Sequence, residues 1–430
     1  MRSILRGALA SLVMAVSAAN AGTLPVPLFP QETNQWCWAG SGQMIMNYLG
    51  ATRVSQCDQA NRRLGRSDCC NSPVPSACVQ PGWPEFEKYG FAYNTTSNSA
   101  LSWSSLTSEI NANRPVAFSW GWTGGGGHMM VASGYLTLLS TNYVYVNDPW
   151  APNVGDQYYI TYSEYVSGAD HVHWRDYYNI RENPPCYSDF HNLSASSFQG
   201  CFDHHAWRDR WPVTLTAYNS SGNRLMAGSF QAVGSRPVRV LMTTQQFQSY
   251  FDTYRAQGWR PDRVSVLPTS SGPLFSVIWA PIDGAFLSLA NLTEAEMSAK
   301  WNEMWNAGYL NVDLTVYNDN GVIRFAGVWV KKAHNGYATY WHMTAADFES
   351  KKQSFAAQGL MPVRFNSYST PNGIRYAATW HPTSSGFYQA YNMTSAGYQS
   401  TYNYVAGLNQ GYRLSHVSAL DGVLSALWTK

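Results

Sequence analysis

The chain has 430 residues, of which 45% are hydrophobic and 15% aromatic but only 13% charged, with 28 Lys and Arg against 26 Asp and Glu. So sparse and balanced a charge argues against nucleic acid or an anionic membrane as the main partner, because both demand a positive excess on the surface. The length suits two or three domains, each able to bury its own core.

The first residues form a targeting pattern. Arg2 and Arg6 supply a charged start, Ala8 to Ala18 is small and apolar, and Ala19-Asn20-Ala21 is a small-x-small cleavage site. Residues 1–21 therefore read as a signal peptide, and the mature chain is expected to begin at Gly22 and to be secreted or periplasmic. Removing Arg2 and Arg6 also levels the formal charge. The apolar run is too short to remain as a membrane anchor, and no other segment is long enough, so no membrane span is expected.

Polar residues after Pro30 give way at Cys37 to an apolar helical run that Gly50 closes. A thiol at a helix start meets the positive end of the macrodipole and free backbone N–H groups, which favour the thiolate, the nucleophilic form. Seven cysteines in an oxidising compartment leave at least one unpaired. Cys57, Cys69, Cys70 and Cys78 form a compact cluster with zinc-binding chemistry, but the compartment favours two disulfides, their connectivity open. Cys186 and Cys201 bracket a strand and helix and suit a third bridge. Cys37 is then the odd thiol.

A base must reach Cys37 from elsewhere. His128 follows Gly124–Gly127 and opens an apolar strand, a setting that lets a substrate backbone approach and holds the imidazole rigidly. The neighbouring strand, Tyr143–Val146, runs into Asn147-Asp148-Pro149-Trp150, where Asp148 is placed to accept the His128 ring N–H. Asn147 competes for that role, but strand alternation sends it to the opposite side. Gln31, six residues before Cys37, is the candidate to join the Cys37 N–H as an oxyanion donor. Gln35 competes there, although its place two residues before Cys37 fits a loop contact better. His171 with His173, and His204 with His205, lack a convincing third ligand and read as solvated loop histidines. No metal and no cofactor are expected.

Gln31, Cys37-Trp38-Ala39, the Gly-preceded His128 and Asn147-Asp148-Pro149 together resemble the papain-like cysteine peptidases over about residues 24–150. They resemble most the branch of secreted avirulence effectors of plant-pathogenic bacteria, which shares the cysteine-rich stretch from Gln56 to Gly82 and Arg114-Pro115-Val116. The resemblance implies a papain-like α+β fold and thiol-dependent peptide hydrolysis by Cys37, His128, Asp148 and Gln31. Papain has Asn where this branch has Asp148. Host activation and effector targets do not carry over, because the signal peptide points to an extracytoplasmic site.

A polar stretch, Arg181-Glu182-Asn183-Pro184-Pro185, marks a boundary between a peptidase domain at 22–183 and a second domain at 186–430. Beyond it the chain repeats: Thr243, Thr293, Thr344 and Thr394, with a diverged first copy at Ser194, are spaced 49, 50, 51 and 50 residues apart. Each hydroxyl reads as a helix cap, with Gln246 or Glu296 closing a capping box, and Gly258, Gly308, Gly359 and Gly411 as the left-handed stop. The caps also account for the sequons at Asn192, Asn291 and Asn392. Alternating strands follow, ending on Phe230, Trp279, Trp329, Trp380 and Trp428, which read as shared core rather than as a glycan-binding surface. One helix and about three strands cannot bury their apolar face alone, so five copies must stack as a propeller-like ring or a curved solenoid. The copies resemble the repeats of fungal polyglycine hydrolases, a likeness that assigns no catalytic residue here.

The sequence thus points to a secreted cysteine endopeptidase acting on protein or peptide substrates, its repeats serving to bind substrate or a cell-surface or glycan ligand. Two other readings remain open at this stage: acyl transfer of the transglutaminase type on the same triad, and a toxin-like binding module whose peptidase only performs maturation.

Overall fold

The computed structural model describes residues 21–184, 186–383 and 386–430. The predicted signal peptide, Ala21 apart, lies outside the described residues, as does Pro185 of the predicted boundary. The chain divides into two compact units, one extending as far as residue 185 and including Ala206–Asp209, the other formed by Cys186–His205 with Arg210–Lys430.

The first unit is α+β. Its antiparallel sheet runs β2 (Phe91–Thr95), β7 (His171–Glu182), β3 (Val116–Trp122), β4 (Gly127–Leu138), β5 (Thr141–Asp148), β6 (Asp156–Thr161), with β1 (Ala21–Thr23) added against β4. The central strand β3 is buried on both faces, which is why Val116–Trp120 reads as an almost unbroken apolar run. Alternation divides its side chains between two cores. Ala117 packs with Met129, Val131 and the helices α1 (Cys37–Tyr48) and α2 (Gln56–Leu64). Phe118 and Trp120 pack on the other face with Met130, Val146, Leu106 of α3 (Trp103–Asn111) and Tyr165 of α4 (Tyr162–Val166).

Helix α1 carries the first core inward: Met44, Ile45 and Met46 are fully buried, each contributing about 1.5–3 kcal/mol of apolar transfer. Gly50, at φ +95°, ends the run. Ser41 Oγ donates to Met129 O at 3.1 Å and fixes α1 against β4.

The disulfides are Cys57–Cys70, Cys69–Cys78 and Cys186–Cys201, with Cα–Cα distances of 4.9, 5.5 and 5.6 Å, and Cys37 is the free cysteine.

The second unit holds five repeats, each a strand, a helix and two further strands, with the last strand in the middle of a three-stranded sheet. The inner strands are β9 (Trp211–Ser220), β12 (Trp259–Leu267), β15 (Leu310–Asp319), β18 (Leu360–Thr370) and β21 (Arg413–Leu420). Thr243, Thr293 and Thr344 form full capping boxes with Gln246, Glu296 and Asp347. In the first copy Ser194 Oγ accepts the Ser197 N–H at 3.2 Å, but the helix starts only at Phe198.

The repeats close into a ring. Side chains bridge each inner strand to the next: Thr216 to Ser265 at 3.0 Å, Thr315 Oγ1 to Val264 O at 2.5 Å, Asn366 Nδ2 to Val316 O at 2.6 Å, and His416 Nε2 to Phe365 O at 2.6 Å. The Val417 N–H then donates to Thr214 Oγ1 at 3.0 Å, joining the last repeat to the first. The cores follow the same cycle, since Trp428 and Leu414 pack with Tyr218 and Ala227. The closing aromatics Trp279, Trp329, Trp380 and Trp428 are buried, as the shared-core reading requires. Ring closure protects the sheet edges that a solenoid leaves open.

Candidate active site

Cys37 is the first residue of α1, so its backbone N–H is among those a helix leaves without an intrahelical partner. The indoles on either side anchor this end of the helix. Trp36 Nε1 donates to Cys78 O at 2.8 Å and Trp38 Nε1 to Gln80 O at 3.1 Å, so the disulfide-bonded loop serves as a frame for the thiol. At Gly40 a Cβ would meet Pro149 Cβ at 3.1 Å and Phe29 O at 3.2 Å, so glycine permits the close approach that brings α1 to the segments carrying Gln31 and Asp148.

His128 stands at the start of β4 and Asp148 at the end of the adjacent β5, paired antiparallel with Val131 opposite Asn147. His128 Nε2 lies 2.6 Å from Asp148 Oδ1. Cys37 acts on His128 as a second side-chain partner that raises its pKa, and with Nε2 on Asp148 the ring nitrogen left for it is Nδ1. Asp148 Oδ1 accepts the Trp150 N–H at 2.9 Å, and Oδ2 accepts the Tyr158 phenol at 2.8 Å. Burial alone would lower the His128 pKa; the hydrogen bonds and charges of Asp148 and Cys37 outweigh it and push it up to about 9. Burial alone would raise Asp148, but His128, the Trp150 N–H and Tyr158 hold it below the usual carboxylate range. Trp122 lies nearly parallel to the imidazole, at 14° with 6.5 Å between centroids.

Gln31 is buried beside this cluster. Its N–H donates to Pro149 O at 2.9 Å, its Nε2 to Thr33 O at 2.9 Å, and its Oε1 is buried without a partner. An amide carries two N–H groups, so one is committed to Thr33. Asn147 points to the other face, where it accepts from Ser133 at 2.8 Å and donates to Val26 O at 3.1 Å. Gln35 is exposed, at φ +68°.

Two expectations need correction. The paired histidines are not solvated: His171, His173, His204 and His205 are all buried. His171 stacks on Trp120 at 3.7 Å, and its ring nitrogens meet Asp170 and the Glu164 carbonyl. His173 is held by the Tyr165 carbonyl at 2.9 Å and Asp176 at 3.0 Å, and His205 stacks on Phe230 at 4.3 Å. Single spacing could not show the aromatic and carboxylate partners that let an imidazole be buried. The glycine run also divides its work. Gly125 and Gly126, at φ +90° and +79°, form the turn and border open space, whereas a Cβ at Gly127 would strike Trp174 and the Trp120 carbonyl, both at 2.5 Å.

Tyr158 was missed. In Gln157-Tyr158-Tyr159 nothing in the sequence separates the tyrosine that meets Asp148 from its neighbour.

Residues 23–181 match the Peptidase_C39 like family. The N-terminal domain is Peptidase_C39-like. Residues 190–233, 238–282, 284–332, 334–383 and 384–430 each match the polyglycine hydrolase-like structural repeat. No curated protein matches the chain. The chain is thus a C39-like peptidase domain followed by five such repeats, and a peptidase acts on protein or peptide. Among the described residues no helix is long and apolar enough to cross a membrane.

Proposed function

We propose that the C39-like domain is an extracytoplasmic cysteine endopeptidase with Cys37 as nucleophile, His128 as acid and base, Asp148 as the group that orients His128, and Gln31 as an oxyanion donor. The observation that carries this reading is the 2.6 Å contact of His128 Nε2 with Asp148, which leaves the other ring nitrogen for a thiol at a helix start.

The Cys37 sulfur attacks the substrate carbonyl carbon, and the Cys37 N–H and the free N–H of the Gln31 amide stabilise the oxyanion. His128, protonated at neutral pH, gives its proton to the amine nitrogen as the C–N bond breaks, leaving a thioester on Cys37. Neutral His128 then takes a proton from water, whose oxygen attacks the thioester; the acid leaves and the ion pair is restored. The three disulfides support an oxidising compartment, and the repeats serve to bring the enzyme to its substrate or to a surface.

Peptide digestion in ¹⁸O water, with and without an added primary amine, tests this reading. One ¹⁸O in each new C-terminus is expected, unchanged by the amine. Predominant amide products with the amine would assign acyl transfer instead.

A further inference from the structure

The inner strands of the ring share a feature that the peptidase does not use. Each carries a β-bulge at the same place, at Val213, Asp262, Val312, Val363 and Ser415, followed by Thr214, Arg263, Asp313, Arg364 and His416. Four of the bulge residues, Asp262, Val312, Val363 and Ser415, line a cavity of about 350 Å³, within the size range of small-ligand pockets. Beyond the layer that follows them lies a second, smaller cavity of about 80 Å³.

The charge around the larger cavity is unbalanced. Arg260, Arg263, Lys332 and Arg364 line it, and Asp262 is the carboxylate among its walls. Asp262 is already shared by Arg260 at 3.2 Å, Arg263 at 3.1 Å and Arg236 at 3.8 Å. Asp283 takes Arg260 at 2.8 Å and Lys332 at 3.6 Å. Arg364, only 6% exposed, approaches Asp313 at 3.2 Å through Nε without the alignment of a hydrogen bond, while Asp313 accepts the Val264 N–H. Five cations thus face three carboxylates, and the buried Nε atoms of Arg263 and Arg364 have no hydrogen-bond acceptor. Both guanidinium groups already donate once to the backbone, Arg263 to the Asp262 carbonyl and Arg364 to the Val363 carbonyl, so it is the excess of positive charge that an anion placed between the two planar forks would balance. His381, in the same wall, registers the positive field: burial first, and then Arg263 and Lys332, push its pKa down to about 4.

The rest of the wall selects among anions. Leu310, Val312, Val363 and Leu427 give it an aliphatic side. No Trp, Tyr or Phe lines it, so an acidic sugar finds no ring to stack on. The layer of residues that follows the bulges separates this cavity from the smaller one and closes one end, which suits a chain end rather than a continuous segment.

We propose that this cavity binds the C-terminal carboxylate of a peptide ending in a small aliphatic residue, with Arg263 and Arg364 on the carboxylate and the aliphatic wall against the side chain. The site is independent of hydrolysis at Cys37. Calorimetric titration of the full-length Cys37→Ala protein tests it, using acetyl-Gly-Ala-Val as the free acid, the same peptide as its C-terminal amide, and inorganic phosphate. The free acid is expected to bind saturably and the amide at least about tenfold more weakly, as loss of a charge-assisted hydrogen bond implies. Arg364→Gln and Arg263→Gln, each checked for fold by circular dichroism, are expected to weaken the acid about tenfold, and either folded variant suffices for the comparison. Equal binding of acid and amide, no saturable binding of either, phosphate binding with the acid inert, or unchanged affinity in a folded variant would overturn the proposal.

Discussion

The Tyr158 phenol donates to Asp148 Oδ2 at 2.8 Å, on the oxygen that His128 does not use. Both carboxylate oxygens are thereby fixed, and with them the plane of the imidazole. Tyr158 is a positioning residue under the proposed mechanism. Tyr158→Phe is expected to lower kcat about tenfold, the scale of one hydrogen bond to a charged group, with KM nearly unchanged. An equal loss in KM would mean that Tyr158 contacts substrate instead.

Under the proposed mechanism His128 sets the pH behaviour. Its pKa, about 9 in the fold against 6.5 ordinarily, means that the folded state holds this proton more tightly. The stability it contributes is fully present below 6.5 and is lost as the pH rises towards 9. Activity should follow the same proton, with an alkaline limb near pH 9. Asp148→Asn removes the negative partner, so the limb should move towards neutral pH and kcat should fall. A pH profile identical to the parent's would exclude Asp148 as the partner that holds the proton.

Gly40 tests the contact between α1 and the segments beside it. The Cβ of an alanine would sit 3.1 Å from Pro149 Cβ and 3.2 Å from the Phe29 carbonyl oxygen, so both must give by a few tenths of an ångström. Gly40→Val is expected to cost about 1–3 kcal/mol, in the range of overpacked cores. Activity should fall by more than the unfolded fraction accounts for, because Pro149 directly follows Asp148. Chemical denaturation and activity at matched folded fraction separate the two effects.

The ring predicts cooperative loss. Trp329 is fully buried in a core that also takes Tyr368 and Ala377 from the next repeat. Trp329→Ala is expected to cost about 3–5 kcal/mol. Calorimetry should show the repeats still melting together at a lower temperature, since each core spans two repeats. A separate early transition for one repeat would contradict the closed ring.

The parts legible in the sequence were those encoded locally. A polar run meeting an apolar helix at Cys37, a glycine run before an apolar strand at His128, and caps about 50 residues apart each declare themselves within a short window. Residues whose meaning depends on a distant partner did not. His173 looks solvent-bound until Asp176 and the Tyr165 carbonyl are beside it, and Gly127 looks like an open approach until Trp174 covers it. Ring closure was open for the same reason: the Val417–Thr214 bond joins residues 203 positions apart.

The central claim is that Cys37 carries the chemistry, and cleavage of a defined peptide mixture by the full-length protein and its Cys37→Ala variant, read as new N-termini by mass spectrometry, tests it most directly. The account predicts cleavage by the parent and none by the variant, with the same circular dichroism and melting behaviour in both. New N-termini produced by the variant at the parent's rate would contradict it.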